Sequence, residues 1–161
     1  MTIHCFNDAE AVRIAIEMET RGEAFYSKAA RISKNPETVN VFRQLAADEA
    51  VHRAEFEKLA AKANLSHAEY DQETSAYLNA IAADVVFSDG LMALRTTGFE
   101  TPEGALMEAI RSEKDSVMFY TELAERASDK EAARIFDEII FQEKAHLRTL
   151  QLRLAKIISE G

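Results

Sequence analysis

One pattern occurs twice in this chain, offset by 94 residues, and it narrows the possible folds more than any other feature. Glu19 is followed 30 residues later by Glu49-x-x-His52, and Glu113 is followed 30 residues later by Glu143-x-x-His146. The flanks repeat as well: Ala15-Ile16 and Phe25-Tyr26 answer Ala109-Ile110 and Phe119-Tyr120. Residues three apart on a helix share a face, so the glutamate and histidine of each motif can reach one centre. Four glutamates and two histidines at this spacing form a ligand set for two metal ions inside a four-helix bundle.

The breaks in the chain agree with four long helices. Two prolines and five glycines leave few interruptions, and alanine, glutamate and leucine favour helix elsewhere. The first helix is expected over about 8–33, capped by Asn7 or Asp8. Asn35-Pro36 ends it and opens the second, asparagine as cap and proline at the first helical position, running to about residue 62. Thr101-Pro102 repeats that signal for a third helix over about 102–127. Ser128-Asp-Lys-Glu131 reads as a capping box for a fourth, over about 129–158. The two short connections make antiparallel hairpins, while residues 64–101 form a long crossover. Its apolar stretch (Tyr77, Leu78, Ile81, Val85, Val86, Phe87) is expected as a helix covering the bundle, with Gly90 and Gly98 at later bends. Two tight hairpins and one long crossover give an all-α, ferritin-like four-helix bundle, one domain over residues 1–161.

The motif residues interrupt apolar seams. In the second helix the seam reads Phe42, Leu45, Glu49, His52, Phe56, Leu59, and in the fourth Phe136, Ile139, Glu143, His146, Leu150. The first reads Val12, Ile16, Glu19, Glu23, Tyr26, Ala30, and the third Leu106, Ile110, Glu113, Val117, Tyr120, Ala124. Buried and unpaired, each glutamate would cost several kcal/mol or take up a proton. Two divalent cations among four carboxylates remove that cost, and neutral imidazoles complete the coordination. Glu49 and Glu143 are expected as bridges between the ions. Glu19 and Glu113, with His52 and His146, would be terminal ligands; the spacing leaves open which histidine shares a metal with which glutamate. Oxygen-rich ligands with one imidazole per ion suit iron or manganese better than zinc or copper.

A formal net charge of −9, without a lysine- or arginine-rich block, argues against nucleic acid and anionic membrane surfaces as partners. The single cysteine, Cys5, excludes a disulfide framework and cysteine-based zinc or iron–sulfur chemistry, and reads as an ordinary thiol near a frayed end. No leader is apparent and no apolar run approaches the ~20 residues of a membrane span, so a soluble protein of the reducing cytoplasm is expected.

These motifs, with the Phe-Tyr pair six and seven residues after the first glutamate of each half, resemble the rubrerythrin group of the ferritin-like superfamily. The likeness covers all four long helices. It implies that Glu19, Glu49, His52, Glu113, Glu143 and His146 hold two iron ions, and that the protein is an oxidoreductase. Rubrerythrins reduce hydrogen peroxide at such a centre, as part of defence against oxidative stress, and related members oxidise ferrous iron. Peroxide or dioxygen would be the oxidant and a homodimer the assembly. A full rubrerythrin carries a rubredoxin domain with four cysteines; here electrons would come from a separate donor protein. Typical members also carry an extra glutamate three residues after the third ligand, where this chain has Ser116. Glu23, by contrast, lies one turn after Glu19 where the second half has Val117. It is either an additional or switching ligand or a residue in an access channel or a hydrogen bond near the centre. Bacterioferritin shares the ligand order, but its haem-binding methionine is replaced by Ala50, so no haem is expected. Iron binding or sequestration, with ferroxidase activity, is the alternative function, and a di-iron hydroxylase a third.

Around the ligands, Tyr26 and Tyr120 are expected either as ordinary core tyrosines or as hydrogen-bond donors to a ligand carboxylate. Gly22, in mid-helix, signals either a close approach near the centre or simple tolerance. Asp48 and Gln142 precede the two Glu-x-x-His motifs, where either could orient a histidine. His4 and His67 lack ligand partners and belong to the surface, and Met18, Met107 and Met118 to packing.

Overall fold

A computed structural model describes residues 3–62, 64–83 and 101–161. Its elements are α1 (Asp8–Ile32), α2 (Pro36–Ala60), α3 (Gln72–Ile81), α4 (Pro102–Arg126) and α5 (Lys130–Glu160). The helix ends agree with the sequence reading to within two residues. Asn35 accepts from Glu37 N and Thr38 N, with Pro36 in the first turn, and Thr101 accepts from Gly104 N ahead of Pro102. At the start of α1 the cap is Asn7, which accepts from Glu10 N.

The start of α5 differs by one residue. Asp129, not Ser128, is the cap, accepting from Ala132 N at 2.8 Å. The cause lies at the far end of the chain. Asp8 is buried and its Oδ2 accepts from both Ser128 N and Asp129 N, while its Oδ1 accepts from Tyr70 Oη. These bonds join the first residue of α1, the crossover and the α4–α5 turn, so Asp8 has a joining role and leaves the capping of α1 to Asn7.

α1 pairs with α2 and α4 with α5 as two antiparallel hairpins, which pack together through α2 against α5 and α1 against α4. Along the bundle axis the interior has three layers. One apolar cluster holds Val12, Phe56, Leu59, Phe119, Leu123 and Phe136; the other holds Ala29, Phe42, Leu45, Leu106, Ile110 and Leu150. Glu19, Glu49, His52, Glu113, Glu143 and His146 lie between them in each helix's sequence, and all six are buried. The seams of α2 and α5 are buried at every expected position. In α1 and α4 the seam is looser: Ile16, Glu23, Val117 and Ala124 are only half-buried.

α3 covers the bundle as expected, with Leu78 wholly buried in the first cluster. Val85, Val86, Phe87, Gly90 and Gly98 lie outside the described residues. Residues 4–6, before α1, are pinned: Asn79 Nδ2 donates to His4 O and Tyr70 N to Phe6 O. Cys5 is exposed between those anchored neighbours. Among the described residues, no helix is long and apolar enough to cross a membrane.

Candidate metal centre

Each long helix contributes its seam carboxylate to one layer, and α2 and α5 add a histidine three residues further on. Two groups of four then form. Glu19, Glu49, His52 and Glu143 each offer an atom within 4.8 Å of the others, and so do Glu49, Glu113, Glu143 and His146. Glu49 and Glu143 belong to both groups. Glu19 falls with His52 and Glu113 with His146, a pairing that the spacing left open.

Both histidines turn Nδ1 toward the carboxylates. His52 Nδ1 is 2.9 Å from Glu143 Oε1 and 3.4 Å from Glu19 Oε2. His146 Nδ1 is 3.3 Å from Glu143 Oε2, 3.4 Å from Glu49 Oε1 and 3.6 Å from Glu113 Oε1. The rings stack with centroids 5.6 Å apart. On their outer edges, His52 Nε2 meets Gln142 Oε1 at 2.9 Å and His146 Nε2 meets Asp48 Oδ2 at 3.1 Å. Asp48 and Gln142 thus orient the histidines, each across the bundle from the motif it precedes.

The tyrosines cross the bundle too. Tyr26 Oη donates to Glu113 Oε1 and Tyr120 Oη to Glu19 Oε1. Each phenol therefore serves the glutamate of the opposite hairpin, not the one two turns before it on its own helix. Burial, together with the nearby glutamates, raises both phenols well above their usual range, so they remain protonated donors. Tyr120 also packs against Phe56 and Phe136, and Tyr26 against Phe42, which walls the layer with aromatic rings.

Five buried atoms in this layer have no hydrogen-bond partner: Glu19 Oε2, Glu49 Oε1, His52 Nδ1, Glu113 Oε2 and Glu143 Oε1. Every one belongs to the six motif residues. Left to themselves, these side chains would balance charge with protons. Burial, then the charges of Glu19 and Glu143, push Glu49 well above the usual carboxylate range, and burial with Glu143 does the same to Glu113. Burial also acts to raise Glu143, but the neighbouring Glu113, His146 and His52 side chains hold it below that range. Burial opposes a charge on His52, yet Glu143 and Glu19 raise it to about 10, and His146 is raised likewise by Glu113, Glu143 and Glu49. Divalent cations fit this donor set: they satisfy the orphaned atoms and displace protons from an oxygen-rich, two-imidazole cluster.

Gly22 stands where α1 passes closest to this cluster. A Cβ there would lie 2.6 Å from Glu49 Oε2 and 3.3 Å from its Cδ, so the glycine marks a close approach. Glu23 is not among the gathered residues. It is half-buried, and its carboxylate accepts from Arg53, the neighbour of His52, in an ion pair. Of the other two histidines, His67 is exposed, whereas His4 is half-buried with Nε2 2.5 Å from Glu10 Oε1. Nothing in the sequence marks Arg53, because an arginine beside a seam histidine carries only a weak signal and its partner Glu23 lies on another helix.

The sequence profile of the rubrerythrin family matches residues 10–102 and 104–159. A solved protein from Thermotoga maritima, described as ferritin-like and diiron-carboxylate, is 27% identical with a TM-score of 0.67, covering 94% of this chain and 97% of that chain. A DUF305 fragment from Deinococcus radiodurans has a TM-score of 0.65 over 92% of this chain and 95% of its own; at 12% identity the likeness is one of fold alone. An uncharacterized protein of Archaeoglobus fulgidus is 37% identical over 54 residues, which are 34% of this chain and 84% of that one. The chain belongs to the rubrerythrin family, as an all-α, ferritin-like bundle built around a buried carboxylate–histidine cluster.

Proposed function

We propose that this protein is a di-iron oxidoreductase of rubrerythrin type, reducing hydrogen peroxide or dioxygen with electrons supplied by a separate donor protein. The observation that carries the reading is that, among the described residues, the buried atoms without a hydrogen-bond partner all belong to Glu19, Glu49, His52, Glu113 and Glu143. A bundle with no ion to hold would gain nothing from placing these groups between two apolar clusters.

Glu49 and Glu143, common to both groups, would hold both ions; Glu19 with His52 and Glu113 with His146 would each complete one. Bound iron would supply the electrons for reduction and Lewis acidity at the oxidant. The protein's own part is geometric and electrostatic. Tyr120 and Tyr26 each fix one oxygen of Glu19 and Glu113 and leave the Oε2 of each facing the cluster. Gln142 and Asp48 hold the Nε2 edges of the rings so that Nδ1 points inward. The phenylalanines keep bulk water from the layer.

Anaerobic loading with Fe(II), followed by stopped-flow mixing with peroxide and separately with oxygen, tests the proposal. Loss of the ferrous form at least about tenfold faster than for Fe(II) in buffer, an effect above 1.4 kcal/mol in barrier, is the expected result. Oxidation by neither oxidant faster than in buffer rejects the proposal, and metal analysis of anaerobically purified protein decides between iron and manganese.

A further inference from the structure

The 94-residue offset sets Asp48 against Gln142, and the two have the same task with different chemistry. His146 Nε2 meets a carboxylate oxygen at 3.1 Å; His52 Nε2 meets a carboxamide oxygen at 2.9 Å. Both rings aim Nδ1 at the glutamates, so Nε2 carries the hydrogen in a neutral, metal-binding imidazole. A carboxylate draws on that hydrogen more strongly than an amide does and makes Nδ1 the better donor. Asp48 is itself held in place, for Gln44 Nε2 donates to its Oδ1 at 2.9 Å. In the other half the residue matching Gln44 is Glu138, which pairs instead with Arg134.

Among the described residues, the contacts made by the glutamates themselves are largely common to the two positions. Glu49 and Glu143 are common to both groups. Glu19 and Glu113 each receive one tyrosine hydroxyl. Gly22 acts on Glu49, a residue both groups use. Beside His52 the charge of Arg53 is paired with Glu23, so the unmatched charge that meets a histidine ring directly is that of Asp48.

Resting on the two-metal reading above, we propose that the two positions are unequal by construction. The one completed by His146 and Glu113 fills first and holds its ion more tightly; the one completed by His52 and Glu19 fills second. The Asp48 side chain is 33% exposed, so water screens part of its charge. The difference therefore falls near the lower end of the range for such outer partners, about tenfold in affinity.

Mn(II), which has no redox chemistry under these conditions, is the probe. Titration of the whole chain followed by the electron paramagnetic resonance of free Mn(II) is expected to show two steps about tenfold apart. Anomalous scattering from crystals given one Mn(II) per chain is expected beside His146. Asp48→Asn keeps an acceptor of the same shape and removes the charge, so the first step weakens toward the second. Gln142→Glu adds a charge at constant shape and strengthens the second step. A first ion beside His52, equal filling of both positions, or an Asp48→Asn titration identical to the parent overturns the inequality while leaving a two-metal protein. Absence of Mn(II) and Fe(II) binding overturns both readings. The anomalous measurement on the parent decides the matter even if a variant fails to fold.

Discussion

Gly22→Ala separates two quantities that usually move together. In the middle of a helix, alanine is favoured over glycine by about 1 kcal/mol. The added Cβ, however, meets the Glu49 carboxylate, which would have to leave the position it shares between both groups. The variant is expected to melt at or above the parent temperature in the presence of a chelator, while Mn(II) affinity falls about tenfold or more. Unchanged affinity would show that Glu49 can shift without cost to the centre. The six seam residues could be read from the chain because helical periodicity puts them on the buried stripe. The partners of those residues could not. Tyr26 reaches Glu113, and Asp48 reaches His146, only once two hairpins have docked, and no local spacing encodes that docking.

Among the elements, caps show where local and long-range demands meet. Asn35-Pro36 and Thr101-Pro102 act as their own sequences dictate. The cap of α5 does not, because Asp8, 121 residues away from Asp129, takes the amides of Ser128 and Asp129. The crossover was legible where an apolar helix covers the core at Leu78, and its hydrogen bonds to the N-terminal segment were not. Asp129→Ala removes an N-cap and is expected to cost about 1 kcal/mol in urea denaturation. Acid titration gives a second reading. The backbone amide of Ala132 holds Asp129 below the usual carboxylate range, and that of Thr74 does the same for Asp71. A lowered native pKa gives stability that is complete above the unfolded value, about 3.9. That stability fades as pH falls through the native values. The Asp129→Ala variant should therefore lose less stability than the parent on acidification; an equal loss would contradict the assignment.

Across the whole molecule, side chains near the bundle ends tie one hairpin to the other. Arg153 of α5 is buried, and its guanidinium donates to Thr38, Glu37 and Asn35 at the start of α2. Lys62, just past α2, pairs with Asp129 and Glu131 at the start of α5. Arg153→Ala is expected to cost about 2 kcal/mol, the scale of hydrogen bonds to a charged group, measured by denaturant midpoint. Ions that bind only the folded protein add to these ties: at a free concentration one hundred times the dissociation constant the gain is about 2.7 kcal/mol. Omission of Mn(II) should lower the melting temperature accordingly. The crossed phenols have one more consequence. A slip of one hairpin along its neighbour by a single helical turn, about 5.4 Å, would strip both terminal carboxylates of their hydroxyls at once. Tyr26 and Tyr120 thus act as a two-point alignment key, by which a misregistered chain loses both anchors together and cannot settle halfway.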